Sequence, residues 1–512
     1  MHPSQYAAST PDTAAVIMAD SGETLTYRQL DDRSNQLAQL FRAQGLVRGD
    51  VIAILLENHP RYFEACWAAQ RSGLYFVGIS SKLNADEAAY IIEDSEAKLL
   101  ITSAAMTDIA APLAERLSHV HLYMLDGAID PYQNYEASLE EFLARPITDE
   151  SAGSDMLYSS GTTGRPKGIK PALPEAGIDA VTPLHQVMTQ VLKLKPGCVY
   201  LSPAPLYHSS PLRWCMGIHR LGGTVVVMEK FRDEQVLQLI ERYKVQSAQF
   251  VPTHFQRLLK LESATKQNYE LNSLEAVVHA GAPCAATTKR QMIDWWGPII
   301  HEFYAGTEGN GLCYINSEQW LSHPGSVGRP VVGKLHICND EGEPVAPGEE
   351  GLIYFEDGPQ FHYHNDAQKT AEAHNQHGWS TLGDVGRVDE EGYLYLTDRK
   401  SFMIISGGVN VYPQEIEDLF IAHPKVADVA VIGAPDEDMG ERVVAVIQLE
   451  AGHTAGERLS EELVNYGRQH LSHIKAPRQV DFVSELPRHD TGKLYKRLIR
   501  DQYWQGRNSK LI

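Results

Sequence analysis

The chain has no apolar run approaching the roughly 18 residues that a membrane-spanning helix requires, so no membrane span is expected. Its six cysteines, at positions 66, 198, 215, 284, 313 and 338, never form a Cys-x-x-Cys pair. That spacing speaks against a zinc site or a disulfide frame and for reduced thiols. Positive charge is also scarce: 45 Lys and Arg face 66 Asp and Glu, for a formal net charge of −21. Nucleic-acid binders neutralise phosphates with an excess of cations, so that class is excluded, and an anionic membrane surface is disfavoured on the same ground. The first residues, Met1-His2-Pro3-Ser4-Gln5, carry no basic stretch leading into an apolar core, so no secretory signal is expected. There is no internal repeat and no low-complexity tract. These absences predict a cytoplasmic protein that holds any anionic ligand in a local positive site, against an unfavourable overall field.

What is present is an ordinary globular composition, 43% hydrophobic and 22% charged, over 512 residues. That length is too great for one compact core, so more than one domain is expected. Short branched runs such as Val51–Leu56, Lys98–Thr102, Thr224–Met228 and Leu274–Val278 alternate with segments of helical spacing such as Asp233–Tyr243 and His254–Leu261. This alternation predicts an α/β fold, parallel sheets covered by helices, with functional loops at the strand ends. After Asp384 the texture changes to glycine-punctuated alternation, as in Gly392–Leu396, which predicts antiparallel ribbons. Beyond Asp398, a helix over Pro413–His423 and strands over Val426–Ile432, Val443–Leu449 and Gln479–Val483 predict a small α+β domain. The expected division is therefore a large domain over 1–398 and a small one over 399–512.

The most informative stretch is Tyr158-Ser-Ser-Gly-Thr-Thr-Gly-Arg-Pro-Lys-Gly168. Behind an apolar strand it gathers four hydroxyls, two cations and three glycines that let the backbone turn tightly around an anion. It lacks the Gly-Lys-Ser/Thr ending of the Walker loop. A solvated linker would rarely set Arg-Pro-Lys between glycines, so the stretch reads as a phosphate loop.

Four further segments follow in order: Tyr304-Ala-Gly-Thr-Glu-Gly309, Ser380-Thr-Leu-Gly-Asp384, Asp398-Arg-Lys-Ser-Phe-Met-Ile-Ile-Ser-Gly-Gly408 running on to Glu417, and Leu486-Pro-Arg-His-Asp-Thr-Gly-Lys493. With the phosphate loop, they resemble the motif set of the acyl-adenylate-forming superfamily, which holds acyl-CoA synthetases, adenylation domains of peptide synthetases and beetle luciferases. The resemblance covers nearly the whole chain and implies a mobile small domain with its hinge near 399–401. It assigns Ser159, Ser160, Gly161, Thr162, Thr163, Gly164 and Lys167 to the ATP phosphates. Thr307 and Glu308 would take ATP and Mg2+, with Glu308 as the metal ligand, and Tyr304 would stand beside them. Gly281 and Ala282 would pack along the adenine, Asp384 would accept from the ribose hydroxyls, and Arg399 would add a contact from the hinge. Lys493 is the strongest catalytic candidate. An ammonium that reaches both the substrate carboxylate and the α-phosphate offsets their repulsion in the transition state. Gly407 and Gly408 would form the face that arrives for a thioester step with coenzyme A.

Taken alone, several of these residues have plainer readings. Thr-Glu also suits a helix N-terminus, Gly-Asp and Asp-Arg suit turns, and Lys493 with Lys496, Arg497 and Arg500 suits a basic helix face. The histidines at 362, 364, 374 and 377 read as a solvated loop rather than a metal site. The acid pocket is expected from His208, Trp214, Phe255, Ala305 and Gly306, and the small residues at 280, 281, 305 and 306 suggest room for a bulky group. The expected reaction is that of an ATP-dependent, AMP-forming acyl-CoA synthetase. Its substrate would be a hydrophobic carboxylic acid, either a medium or long fatty acid or a ring-bearing acid of steroid or aromatic type. Stretches around Trp295–Pro298 and His323–Arg329 are similar to synthetases that include bile-acid ligases. The alternative is a free-standing adenylation enzyme that loads a carrier protein. A third reading is a nucleotide-binding regulator without turnover, against which the full set Glu308, Asp384, Arg399 and Lys493 argues. A homodimer is compatible with all three.

The commoner hinge residue in this family is Asp or Lys, and here it is Ser401. Ser401→Pro, which fixes φ, is expected to slow thioester formation more than adenylation. Half-reaction assays check this, and equal slowing of both steps would count against the hinge.

Overall fold

The computed structural model describes residues 1–158, 166–399, 402–406, 409–436, 439–488 and 494–505, with Arg399 described by its backbone alone. Three sheets carry the architecture. The first is a six-stranded, wholly parallel sheet around Val51–Leu55, which pairs with Tyr75–Gly78 on one side and Ala97–Ser103 on the other. Every residue of Val51–Leu55 is buried, as expected of a strand covered by helices on both faces. Two of the helices that cover it start at capping boxes, Thr26 with Gln29 and Asn84 with Glu87. Each box satisfies two backbone N–H groups that the first helical turn leaves unpaired.

The second sheet has thirteen strands. Val199–Ser202, Thr224–Val227, Ser247–Phe250, Ala276–His279 and Ile300–Ala305 run parallel through its middle. From Leu312–Ile315 onward the pairing turns antiparallel, through Ser326–Val332 and Leu394–Arg399 to Ser380–Val388 and Gly351–Glu356. The two faces of the parallel part belong to different cores. Leu201, Val226, Ala248, Phe250, Val277 and Ile300 face one. Tyr200, Val225, Val227, Ala276 and Val278 face the other, with Trp214 of the helix Ser209–Arg220.

The third sheet is formed wholly from Ile404 onward. It pairs Ile404–Ser406, Val409–Val411, Val426–Asp436, Gly440–Leu449 and Gln479–Val483. The helices Pro413–Ile421, Glu457–His470 and Lys496–Tyr503 belong to the same part of the chain. Local pattern and structure agree closely here: the strand Gln479–Val483 and, in the larger part, the helix Asp233–Tyr243 have the bounds that their spacing predicts. No described helix is long and apolar enough to cross a membrane.

One buried ion pair ties the elements that lead into the site. Lys289, on the helix Ala286–Trp296, meets Glu302 of the strand Ile300–Ala305 at 2.5 Å, with side chains 1% and 8% exposed. Burial pushes the Glu302 carboxyl up, and Lys289 pulls it back. Removing one partner leaves the other charge buried alone. Glu302→Ala is therefore expected to lower stability by about 3–5 kcal/mol, while Lys289→Met combined with Glu302→Leu recovers most of it. Urea unfolding of the two variants checks this; equal midpoints would contradict it.

Candidate functional site

The parallel strands of the large sheet end along one edge, where α/β sheets gather ligand-binding loops. Gly281 follows Ala276–His279 there with φ +88°, a left-handed conformation that glycine adopts without strain, and Ala282 comes next. Ala305 closes the neighbouring strand. Ile300–Ala305 and Leu312–Ile315 form an antiparallel hairpin, and the turn between them closes with the Gly309 N–H donating to the Gly306 carbonyl at 3.1 Å. Thr307 and Glu308 are the two central residues of that turn. They are not the start of a helix, so the plainer reading of this pair falls away.

Two contacts fasten the turn. Asn310, 2% exposed, donates through Nδ2 to the carbonyl and the hydroxyl of Ser380. The Tyr304 hydroxyl donates to Asp384 Oδ2 at 2.7 Å. Asp384 lies on Ser380–Val388, directly opposite Arg399 in the antiparallel register. The two positions that the sequence sets far apart are cross-strand neighbours.

The ends of the phosphate loop are also held as a hairpin. Leu157–Tyr158 pairs with Gly168–Ile169, and the Tyr158 hydroxyl donates to Asp94 Oδ2 at 2.7 Å. A third segment lies alongside. Ile169 bridges Tyr363, and the His364 N–H donates to the Gly168 carbonyl at 2.7 Å. Ile169, Phe361 and Ala373 are buried together, with Tyr363 and Leu382 packed against them. The segment that reads as a solvated histidine loop does leave His362 and His377 exposed, but it also lies against this hairpin through a single bridge at Tyr363. Its Tyr363 is the residue that sequence reasoning missed: the hydroxyl donates to Glu308 Oε1 at 2.8 Å and the ring faces the Lys167 ammonium at 5.4 Å. Burial and then Lys369 lower the Lys167 pKa from the ordinary lysine value, against the pull of Asp366, Glu372 and Glu308. The four histidines do not converge on a metal position among the described residues.

Lys167, Tyr304, Thr307, Glu308 and Asp384 are thus linked through Tyr363 and the Tyr304–Asp384 bond, with Gly281 and Ala282 on the same sheet edge. The pocket candidates are placed differently. His208 precedes the helix Ser209–Arg220 as its N-cap, its ring 4.3 Å from that of Tyr207. Trp214 is buried between Tyr200 and Phe303, and Phe255 is buried among Phe250, His279 and Trp296. The expectation of open space at Gly306 needs correction. A Cβ there would come within 1.9 Å of Leu382 Cδ1, so Leu382 occupies the space on that side of the glycine.

Ser159, Ser160, Gly161, Thr162, Thr163, Gly164, Gly407, Gly408 and Lys493 lie outside the described residues. The flanks of the last three are antiparallel pairs. Ser406 is opposite Val409, and Arg488 bridges Leu494 with the Tyr495 N–H donating to the Pro487 carbonyl. Lys496 does not lie on a solvated basic face: it is buried against Glu417 at 2.9 Å, with the Phe402 ring 5.2 Å away.

The AMP-binding enzyme model matches residues 4–361, and the model of its C-terminal domain matches 415–493. The chain belongs to the family of AMP-binding enzymes. As a member it is an adenylate-forming, AMP-producing acid–thiol ligase. It is 31% identical over 507 residues to a feruloyl-CoA synthase of an Amycolatopsis species, covering 98% of both chains. It is 29% identical over 519 residues to the fatty acid–[acyl-carrier-protein] ligase ScoC of Streptomyces coeruleorubidus, covering 98% of this chain and 95% of the other. The crystal structure of ATP-bound MatB from Rhodopseudomonas palustris superposes with a TM-score of 0.83 at 26% identity, over 99% of each chain.

In this AMP-binding enzyme Tyr363→Phe keeps the ring against Lys167 and removes only the hydroxyl on Glu308. The loss of one bond to a carboxylate is expected to raise the KM for ATP roughly fivefold and leave the KM for the acid unchanged. Steady-state kinetics check this; a change in the acid KM alone would contradict it.

Proposed function

We propose that the chain is an ATP-dependent acyl-CoA synthetase that activates a hydrophobic carboxylic acid through an acyl-adenylate to its CoA thioester. The observation that carries this reading is the pairing of Ile169 with Tyr363, which sets the Lys167 end of the phosphate loop beside Glu308, one hairpin away from Asp384. In the first step a carboxylate oxygen attacks the α-phosphorus, the bond to the bridging oxygen breaks and pyrophosphate leaves. Backbone N–H groups and hydroxyls of residues 159–164, with Lys167, would hold the β- and γ-phosphates. Asp384 would accept from the ribose, assisted by Arg399, while Gly281 and Ala282 would lie along the adenine. Lys493 would approach the acid carboxylate and α-phosphate and stabilise charge as it builds.

Glu308 suits magnesium: it is a hard oxygen donor beside the phosphate loop, with one oxygen engaged by Tyr363. When bound, the ion would supply the positive charge that lets a carboxylate stand next to a triphosphate. In the second step the CoA thiol attacks the acyl carbon and AMP leaves. For this we assign residues 399–512 as a unit that rotates near 399–401, withdrawing Lys493 and bringing Gly407 and Gly408 to the site. The buried Lys496–Glu417 pair supports such a unit, because it fixes the start of the helix after Lys493 to the helix Pro413–Ile421.

Of the two kinds of acid, the ring-bearing one is the reading we take. Its support is that Trp214 stacks between Tyr200 and Phe303 and that Leu382 stands against Gly306. Arg213, next to Trp214, is held by Asp155 at 2.6 Å, so its charge is already balanced and does not call for a second carboxylate on the substrate.

Acid-dependent pyrophosphate release with ATP and magnesium, followed by AMP and acyl-CoA only when CoA is present, is the expected outcome. Release without a thioester would move the acceptor to a carrier protein, the alternative that the likeness to ScoC keeps in view. No release with any acid would overturn the reading. Lys493→Ala is expected to abolish adenylation while sparing thioester formation from supplied acyl-adenylate; equal loss of both half-reactions would refute its role.

A further inference from the structure

Gln249 is an unusual residue for the middle of a parallel sheet. It sits on Ser247–Phe250, paired with Val278 on the next strand, and is 6% exposed. Its neighbours Ala248 and Phe250 pack into the core on one face. By the two-residue alternation of a strand, Gln249 therefore faces the other side, where Tyr200, Val278 and the helix Ser209–Arg220 lie. On that helix Ser210 and Trp214 are four residues apart and share a face. Trp214 stacks between Tyr200 and Phe303, with centroids 6.4 and 6.2 Å away, and so spans the strands between them. Ser210, one turn nearer the start of the helix and two residues from His208, takes a hydrogen bond from Gln249 Nε2. The other end of the amide, Oε1, is buried and has no partner among the described residues.

A buried amide oxygen without a donor is costly, and strand interiors of this type are ordinarily filled by apolar side chains. Such an atom, one residue from the carboxyl end of its strand and bonded to the first turn of the helix that His208 caps, is suited to a ligand that brings a donor. We propose that Gln249, oriented by Ser210, is a specificity-determining residue that accepts a hydrogen bond from a hydroxyl or N–H group on the acid. This rests on the reading that the enzyme adenylates a carboxylic acid and adds which acids it selects. A site built around an unpaired polar group discriminates strongly against analogues that lack the matching group, far more than an apolar pocket discriminates by size.

The test uses the full-length enzyme with pairs of aromatic acids that differ only by a hydroxyl or amino substituent, such as benzoates and cinnamates with and without it. The readout is kcat/KM for acid-dependent pyrophosphate release. The wild type is expected to favour the donor-bearing member of at least one pair by about tenfold or more. Gln249→Leu is expected to erase that preference by raising activity on the plain acid, a gain that a merely structural role would not give. Gln249→Met, closer in shape, serves the same purpose if the leucine variant does not fold. Equal turnover of both members by the wild type, or a preference that survives both substitutions, overturns the proposal while adenylation stands. Silence with every acid overturns the adenylation reading and this proposal with it.

Discussion

The pairing of Ile169 with Tyr363 is the contact on which the rest of the site depends. A hairpin of two residues per strand, Leu157–Tyr158 against Gly168–Ile169, has too few bonds and too little buried surface to hold its own geometry. A third segment, 361–364, supplies more of both. It adds a backbone bond to Gly168 and a bridge to Ile169, and Phe361 and Tyr363 join Ile169, Ala373 and Leu382 in a small apolar cluster. Leu382 of that cluster also packs on Gly306, and Tyr363 reaches Glu308. One short segment therefore joins the base of the 158–168 loop to the Thr307–Glu308 turn. The glycines around it follow from this closeness rather than from a need for mobility. Gly358, for instance, comes so near the Asn310 carbonyl that a Cβ would stand 1.8 Å from its oxygen.

Charge makes the same joining necessary. A chain with a formal net charge of −21 repels anions at long range, so phosphate binding has to come from groups at close quarters. Lys167 stands among Asp366, Glu372 and Glu308, and burial works against its charge. A triphosphate placed against it would favour the ammonium form. The ring of Tyr363 and its hydroxyl give the cation and the carboxylate a common neighbour.

Much of this was legible in the sequence, and the parts that were not share a cause. Helix and strand periodicity located Asp233–Tyr243 and Gln479–Val483 because both signals are local. The motifs at Tyr158, Tyr304 and Asp384 were legible because the residue types and order are specific to one chemistry. Tyr363 was hidden among His362, His364, His374 and His377, where composition suggested solvent, because a single bridge to a residue nearly two hundred positions away leaves no local mark. Gly306 looked like open space because a glycine says nothing about which side chain fills the gap, here Leu382. Lys496 looked exposed because its partner, Glu417, lies in a different helix. Register alone reveals that Asp384 and Arg399 are opposite one another.

The central claim is that the phosphate loop, the 361–364 segment and the Thr307–Glu308 turn act as one nucleotide site. Hydrogen–deuterium exchange with and without a non-hydrolysable ATP analogue and magnesium tests this most directly. The account predicts that protection rises together in peptides covering 157–169, 304–310 and 361–364. Protection confined to 157–169, with the other two segments unchanged, would contradict it.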